Sequence, residues 1–82
     1  MSANKTNLER LLELHASLMD SNSYCYFELA RTKTTEWMAW ICSDQREINP
    51  LRKVIAHGQG FSVEEACEQA LKDYDERNLY AV

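Results

Sequence analysis

The chain has 82 residues, of which 45% are hydrophobic and 27% charged, with two glycines and one proline. That length supports one domain, and that apolar fraction excludes a disordered tail. A net charge of −4 argues against general affinity for nucleic acid or anionic membrane, and no apolar run approaches the about 18 residues of a spanning helix.

Thr6 followed by Glu9 is a capping box, which opens a helix over 6–20. Leu8, Leu11, Leu12, His15, Leu18 and Met19 recur at helical spacing and form its apolar stripe. Asp20 to Ser23 read as a loop. Three β-rich runs follow, at 24–31, 36–43 and 52–58. The polar link Arg31 to Thr35 suits a hairpin, DQREINPL (44–51) reads as a loop, and Gly58 and Gly60 end the third strand. Ser62 and Glu65 are a second capping box, with Phe61 placed to staple onto the first turns of a helix over 62–77. Its stripe is Val63, Ala66, Cys67, Ala70, Leu71 and Tyr74. The order is α-β-β-β-α, an α+β domain with two helices on one face of a three-stranded antiparallel sheet.

Cys25, Cys42 and Cys67 are odd in number and widely spaced, which fits reduced, buried thiols rather than a disulfide framework. No cysteine or histidine pair has metal-ligand spacing. His15 lies on the first helix's apolar stripe. His57 follows Ala56 and points away from Val54 and Ala56. A Cys42–His57 pair has no oxyanion hole or third group beside it. Gly58-Gln-Gly60 is too short to cradle phosphate. The expectation is a protein that is not an enzyme, with no catalytic residue, metal or cofactor. The first residues, MSANKTNLER, lack a signal peptide's apolar core, so the expected compartment is the cytoplasm and no membrane partner is expected.

Two features point to partners. Side chains alternate along a strand, so Trp37 and Trp40, three apart, face opposite sides, as do Tyr24 and Phe27. Two helices cover one face only, so the other keeps aromatics that a solvated surface rarely leaves bare. With Trp37, Ala39 and Ile41 inward, the outer row is Met38, Trp40 and Cys42. The candidate interface is Tyr24, Tyr26, Met38, Trp40 and His57, for a protein partner or a second copy of the chain in a homodimer. The competing cover is the tail Leu79–Val82. A stacking platform for single-stranded nucleic acid needs a basic surround that the chain barely has. The second feature is charge. Residues 63–77 hold six acids against two bases, a balance equal to the whole chain's −4. Glu64, Glu65, Glu68 and Asp73 are either a solvated face braced by Glu68–Lys72 and Asp73–Arg77 pairs, or a decoy surface for a basic, nucleic-acid-binding protein.

AHGQGFSVEEACEQAL (56–71) resembles the third-strand-to-last-helix region of the double-stranded-RNA-binding domain, matching it at Ala56, Gly58, Gly60, Ser62, Ala66 and Ala70. All of these are turn, cap and packing positions. The resemblance implies the same α-β-β-β-α fold. It does not imply RNA binding, because Val63, Glu64 and Cys67 stand where that family has lysines, and its Gly-Pro-x-His segment is missing from Arg31–Thr35. A Trp-rich second strand followed by the G-x-x-x-T/S-x-x-E-A-x-x-x-A-L pattern is also similar to small phage-encoded α-β-β-β-α accessory proteins. Both resemblances bear on the fold more than on function. The expected function is an interaction or accessory protein acting through its sheet face or by self-association, with an acidic decoy inhibiting a nucleic-acid-binding protein as the alternative and an RNA-binding domain that has lost its function as the third reading.

Overall fold

The computed structural model describes residues 5–46 and 48–79. Its elements are α1 (Asn7–Met19), β1 (Tyr26–Thr32), β2 (Glu36–Cys42), β3 (Val54–Gly60) and α2 (Val63–Leu79). The strands form one antiparallel sheet in the order β1-β2-β3. The domain is therefore α+β with the expected element order. Buried Leu11 of α1 and Ala66, Cys67 and Ala70 of α2 meet Ala39, Ile41 and Ala56 of the sheet in one core.

At the start of α1, Glu9 N donates to Thr6 Oγ1 at 3.0 Å and Thr6 N donates to the Glu9 carboxylate at 2.8 Å, closing the capping box. The buried ridge of α1 is narrower than its apolar stripe. Leu8, Leu11, Leu14 and Leu18 pack inward, whereas Leu12 and Met19 are 43% and 42% exposed. The correction follows from placement: α1 lies mainly against α2 and only touches β1, so residues flanking the ridge stay in solvent.

A three-residue turn, Lys33 to Thr35, joins β1 to β2 and places Glu36 at φ 58°. This is the left-handed position that closes such hairpins and that glycine usually fills. Between β2 and β3 the register slips beside Ile41 and Cys42, because Ile41 faces Ala56 and Cys42 faces Val54. The extra residue, Ile55, is a bulge that packs toward the core. It also puts Val54 on the same side as His57, since Val54 lies in a hollow with Tyr26, Trp40 and Cys42. The expected opposition of Val54 and His57 therefore fails, while that of Ala56 and His57 holds.

The expected end of the third strand at Gly58 is also corrected, because β3 continues through Gly58 to Gly60. Gly58 does not end the strand; it lets α2 approach. A Cβ on Gly58 would lie 2.1 Å from the Ala66 carbonyl oxygen and 2.2 Å from Ala70 N. With alanines on the facing helix turn, main chain rests on main chain there. Ser62 caps α2, accepting from Glu65 N at 3.1 Å. The Glu65 carboxylate, however, takes Phe61 N at 2.6 Å, one residue before the cap. Phe61 is 83% exposed, so the expected staple does not form. α2 also runs to Leu79 rather than 77, with Asn78 Nδ2 donating to the Tyr74 carbonyl at 2.9 Å.

Gly58→Ala should be the costliest single-methyl addition in the molecule. The atoms it meets are backbone and cannot rotate aside, so urea unfolding should register a loss of about 2 kcal/mol or more. A loss under about 0.5 kcal/mol would mean that α2 does not lie this close to β3.

Candidate functional site

Alternation along the strands divides the sheet residues as the parity argument expects. Trp37, Ala39 and Ile41 of β2, with Phe27 and Leu29 of β1, join the helix-side core. Met38 and Trp40 point the other way. Among the described residues no helix crosses that outer face, and Leu79, the described end of the tail, is exposed. Tyr80, Ala81 and Val82, the rest of the tail expected as a cover, lie outside the described residues.

The outer face centres on Trp40 and His57, cross-strand partners whose rings stack at 4.9 Å between centroids and 29° between planes. Beside them a hollow of about 240 Å³ is lined by Tyr26, Glu28, Trp40, Cys42, Arg52 and Val54. Tyr26, Met38, Trp40 and His57 are all half-buried, so each presents a fixed flank rather than a free side chain. Arg52 anchors one end. It donates to the Tyr26 hydroxyl, lies 5.2 Å from that ring's centroid, and donates from Nε to the Asp44 carbonyl at 2.8 Å. Burial, with the Cys42 thiol beside it, pushes the Tyr26 hydroxyl up from its ordinary value. At the other end Gln59 Nε2 donates to the Thr35 carbonyl at 2.6 Å. Cys42 belongs to the outer row yet is only 4% exposed, because chain on both sides closes around it. The hollow holds one acid and one base, Glu28 and Arg52. Trp40 and Arg52 thus stand together without a basic field around them.

Tyr24 is not part of this group. The first strand begins at Tyr26, and Tyr24 sits in the preceding turn, where Arg46 lies 4.1 Å above its ring. Arg46 is held there by Asp44, whose buried carboxylate accepts from Arg46 N, Nε and Nη2 at 2.8, 3.0 and 2.7 Å and from Asn49 Nδ2 at 2.6 Å. These bonds hold the Asp44 carboxyl far below the usual carboxylate range. The loop that reads as an ordinary polar connection is therefore built around one buried acid, and the signal for it is Asp44 flanked by two hydrogen-bonding partners.

Most of the acids singled out on α2 have partners inside the fold. Glu64 caps α1: its carboxylate accepts from Asn7 N at 2.7 Å and Leu8 N at 3.1 Å, while Asn7 Nδ2 reaches the Glu64 carbonyl at 3.2 Å. Glu65 holds Phe61 N, as described above. Asp73 accepts from His57 N at 2.9 Å and from Arg77 Nε at 2.6 Å, so the expected Asp73–Arg77 pair forms. The expected Glu68–Lys72 ion pair is not among those of the described residues. Three of the four acids named from the sequence are thus fastening the fold, and only Glu68 stands apart. Of the positions where the RNA-binding family has lysines, Cys67 is buried, Val63 is half-buried and Glu64 is the α1 cap.

The remaining reactive groups are inward. All three cysteines are free and buried. Burial, with the charge of Glu64, pushes the Cys67 thiol up to about 11, and burial likewise raises that of Cys25. His15 Nε2 donates to the Cys25 carbonyl at 3.0 Å, which ties α1 to the entry of β1. Among the described residues no cluster of histidine, cysteine and carboxylate is placed to hold a metal ion. A scan against family models, a search of the curated proteins and a search of the solved structures each find no match.

The division of labour in α2 is open to measurement. Glu64→Ala removes the acceptor for two α1 amides and should cost about 1–2 kcal/mol in thermal or urea unfolding. Glu68→Ala should change stability by less than about 0.5 kcal/mol. Equal effects would remove the capping role.

Proposed function

We propose that this protein is a small interaction module, of accessory or regulatory type, that binds a protein partner through the outer face of its sheet. The observation that carries the reading is the Trp40–His57 stack with Tyr26 and Met38 around it, half-buried by their neighbours and facing away from both helices. Rigid aromatics flanked by one arginine are the side chains that dominate protein interfaces, because they desolvate a large area with few rotamers to fix. Balanced charge favours a protein over a phosphate backbone, which would call for a surplus of lysine and arginine. The decoy reading, in which the acidic helix meets a basic nucleic-acid-binding protein, has Glu68 as its freest residue. It is weakened by the internal duties of Glu64, Glu65 and Asp73.

Paired truncations test the reading. Trp37→Ala should cost about 3–5 kcal/mol, since that ring packs against the core. Trp40→Ala should cost far less, keep the wild-type circular-dichroism spectrum, and weaken partner capture by the tagged protein by about 2 kcal/mol or more. Capture that survives Trp40→Ala but is lost in a folded Glu68→Lys variant would replace the sheet face with the acidic helix.

A further inference from the structure

We propose that the chain pairs with a second copy of itself along the free edge of β1, antiparallel and centred on Leu29. The two edges of the sheet are finished differently. On β3, Asp73 accepts from His57 N at 2.9 Å and Arg77 Nη1 donates to the Val54 carbonyl at 3.3 Å. Side chains of α2 therefore plug that edge, a device that stops a strand from recruiting another. On β1, no hydrogen bond from any described residue outside the β1–β2 ladder reaches the main chain of Phe27, Leu29 or Arg31.

Those three residues are the ones that face outward. Because His57 N–H leaves the sheet toward Asp73, the Trp40–His57 pair is not a hydrogen-bonded one. The main chain of Trp40 must then bond across to Glu28, its partner on β1. Alternation turns the main-chain groups of Phe27, Leu29 and Arg31 to the open edge, symmetrically placed within Tyr26–Thr32.

The strand is its own complement. An antiparallel copy aligned on Leu29 sets Leu29 against the partner's Leu29, Phe27 against the partner's Arg31, and Arg31 against the partner's Phe27. Each such pair exchanges two hydrogen bonds. Glu28 then meets the partner's Ala30, so no like charges oppose. Moving the axis to Glu28 brings it against the partner's Glu28, which is unfavourable. Moving it to Ala30 leaves Phe27 beyond the end of the partner's strand. A slip of one residue sets outer-face side chains against helix-face ones. An antiparallel edge pairing keeps both outer faces on the same side of a six-stranded sheet. Trp40 and His57 of both copies stay open, so this inference stands apart from the sheet-face reading.

Amide exchange on the full ¹⁵N-labelled chain, with sedimentation at the same concentrations, tests the proposal. Between about 50 μM and about 1 mM, a range that suits a small edge interface, the mass should move from 9.5 kDa toward twice that value. Exchange at Phe27, Leu29 and Arg31 should slow by about tenfold or more, with His57 unchanged. Arg31→Pro removes an outward N–H that no described residue of the monomer accepts, and should hold the protein monomeric with a wild-type circular-dichroism spectrum. A monomer at every concentration would overturn the proposal. So would a dimer that leaves those three amides unchanged, or a folded Arg31→Pro variant that still dimerises. If Arg31→Pro does not fold, the wild-type exchange pattern decides alone.

Discussion

Everything in this molecule depends on how closely α2 can lie on β3. Gly58 has no side chain, and Ala66 and Ala70 present almost none, so helix and strand meet through their main chains. That contact brings Cys67 into the core and carries Asp73 to the amide of His57. It also sets the start of α2 where Glu64 can reach Asn7 and Leu8. Dispersion and burial at such a seam are individually small contributions, but here they fix the position of polar groups that would otherwise face water alone.

The same contact decides which surfaces remain free. Both helices are committed to one side of a three-stranded sheet, and three of the acids that look like a surface charge patch, Glu64, Glu65 and Asp73, fasten that arrangement. The opposite side keeps Trp40 and His57, held against each other and bordered by the Arg52–Tyr26 pair. A rigid patch of this kind loses little side-chain entropy on meeting a partner. The proposed interaction surface and the structural surface of this small domain are thus separated by the thickness of one sheet.

Much of the fold was legible in local patterns. The box at Thr6 and Glu9, the cap at Ser62 and the unbroken stripe from Val63 to Tyr74 depend on neighbours within one or two turns, and each stands where the spacing puts it. Parity of three placed one tryptophan on each face without any knowledge of register. What stayed hidden depends on contacts remote in sequence. Gly58 reads as a strand end because a bare glycine gives no sign of a helix backbone above it. Glu64 reads as solvated because its partners lie 57 and 56 residues away. The bulge at Ile55, which turns Val54 to the outer face, has no marker such as glycine, and Glu36 takes a left-handed conformation in a turn with no glycine to announce it. Tyr24 reads as part of the sheet because nothing local distinguishes the last turn residue from the first strand residue.

The most direct measurement of the central claim is a set of nuclear Overhauser contacts in solution. The account predicts strong contacts from the Gly58 α-protons to Ala66 and Ala70, and none from either helix to the side chains of Met38 or Trp40. Absent Gly58–Ala70 contacts, or helix protons close to Trp40, would contradict it.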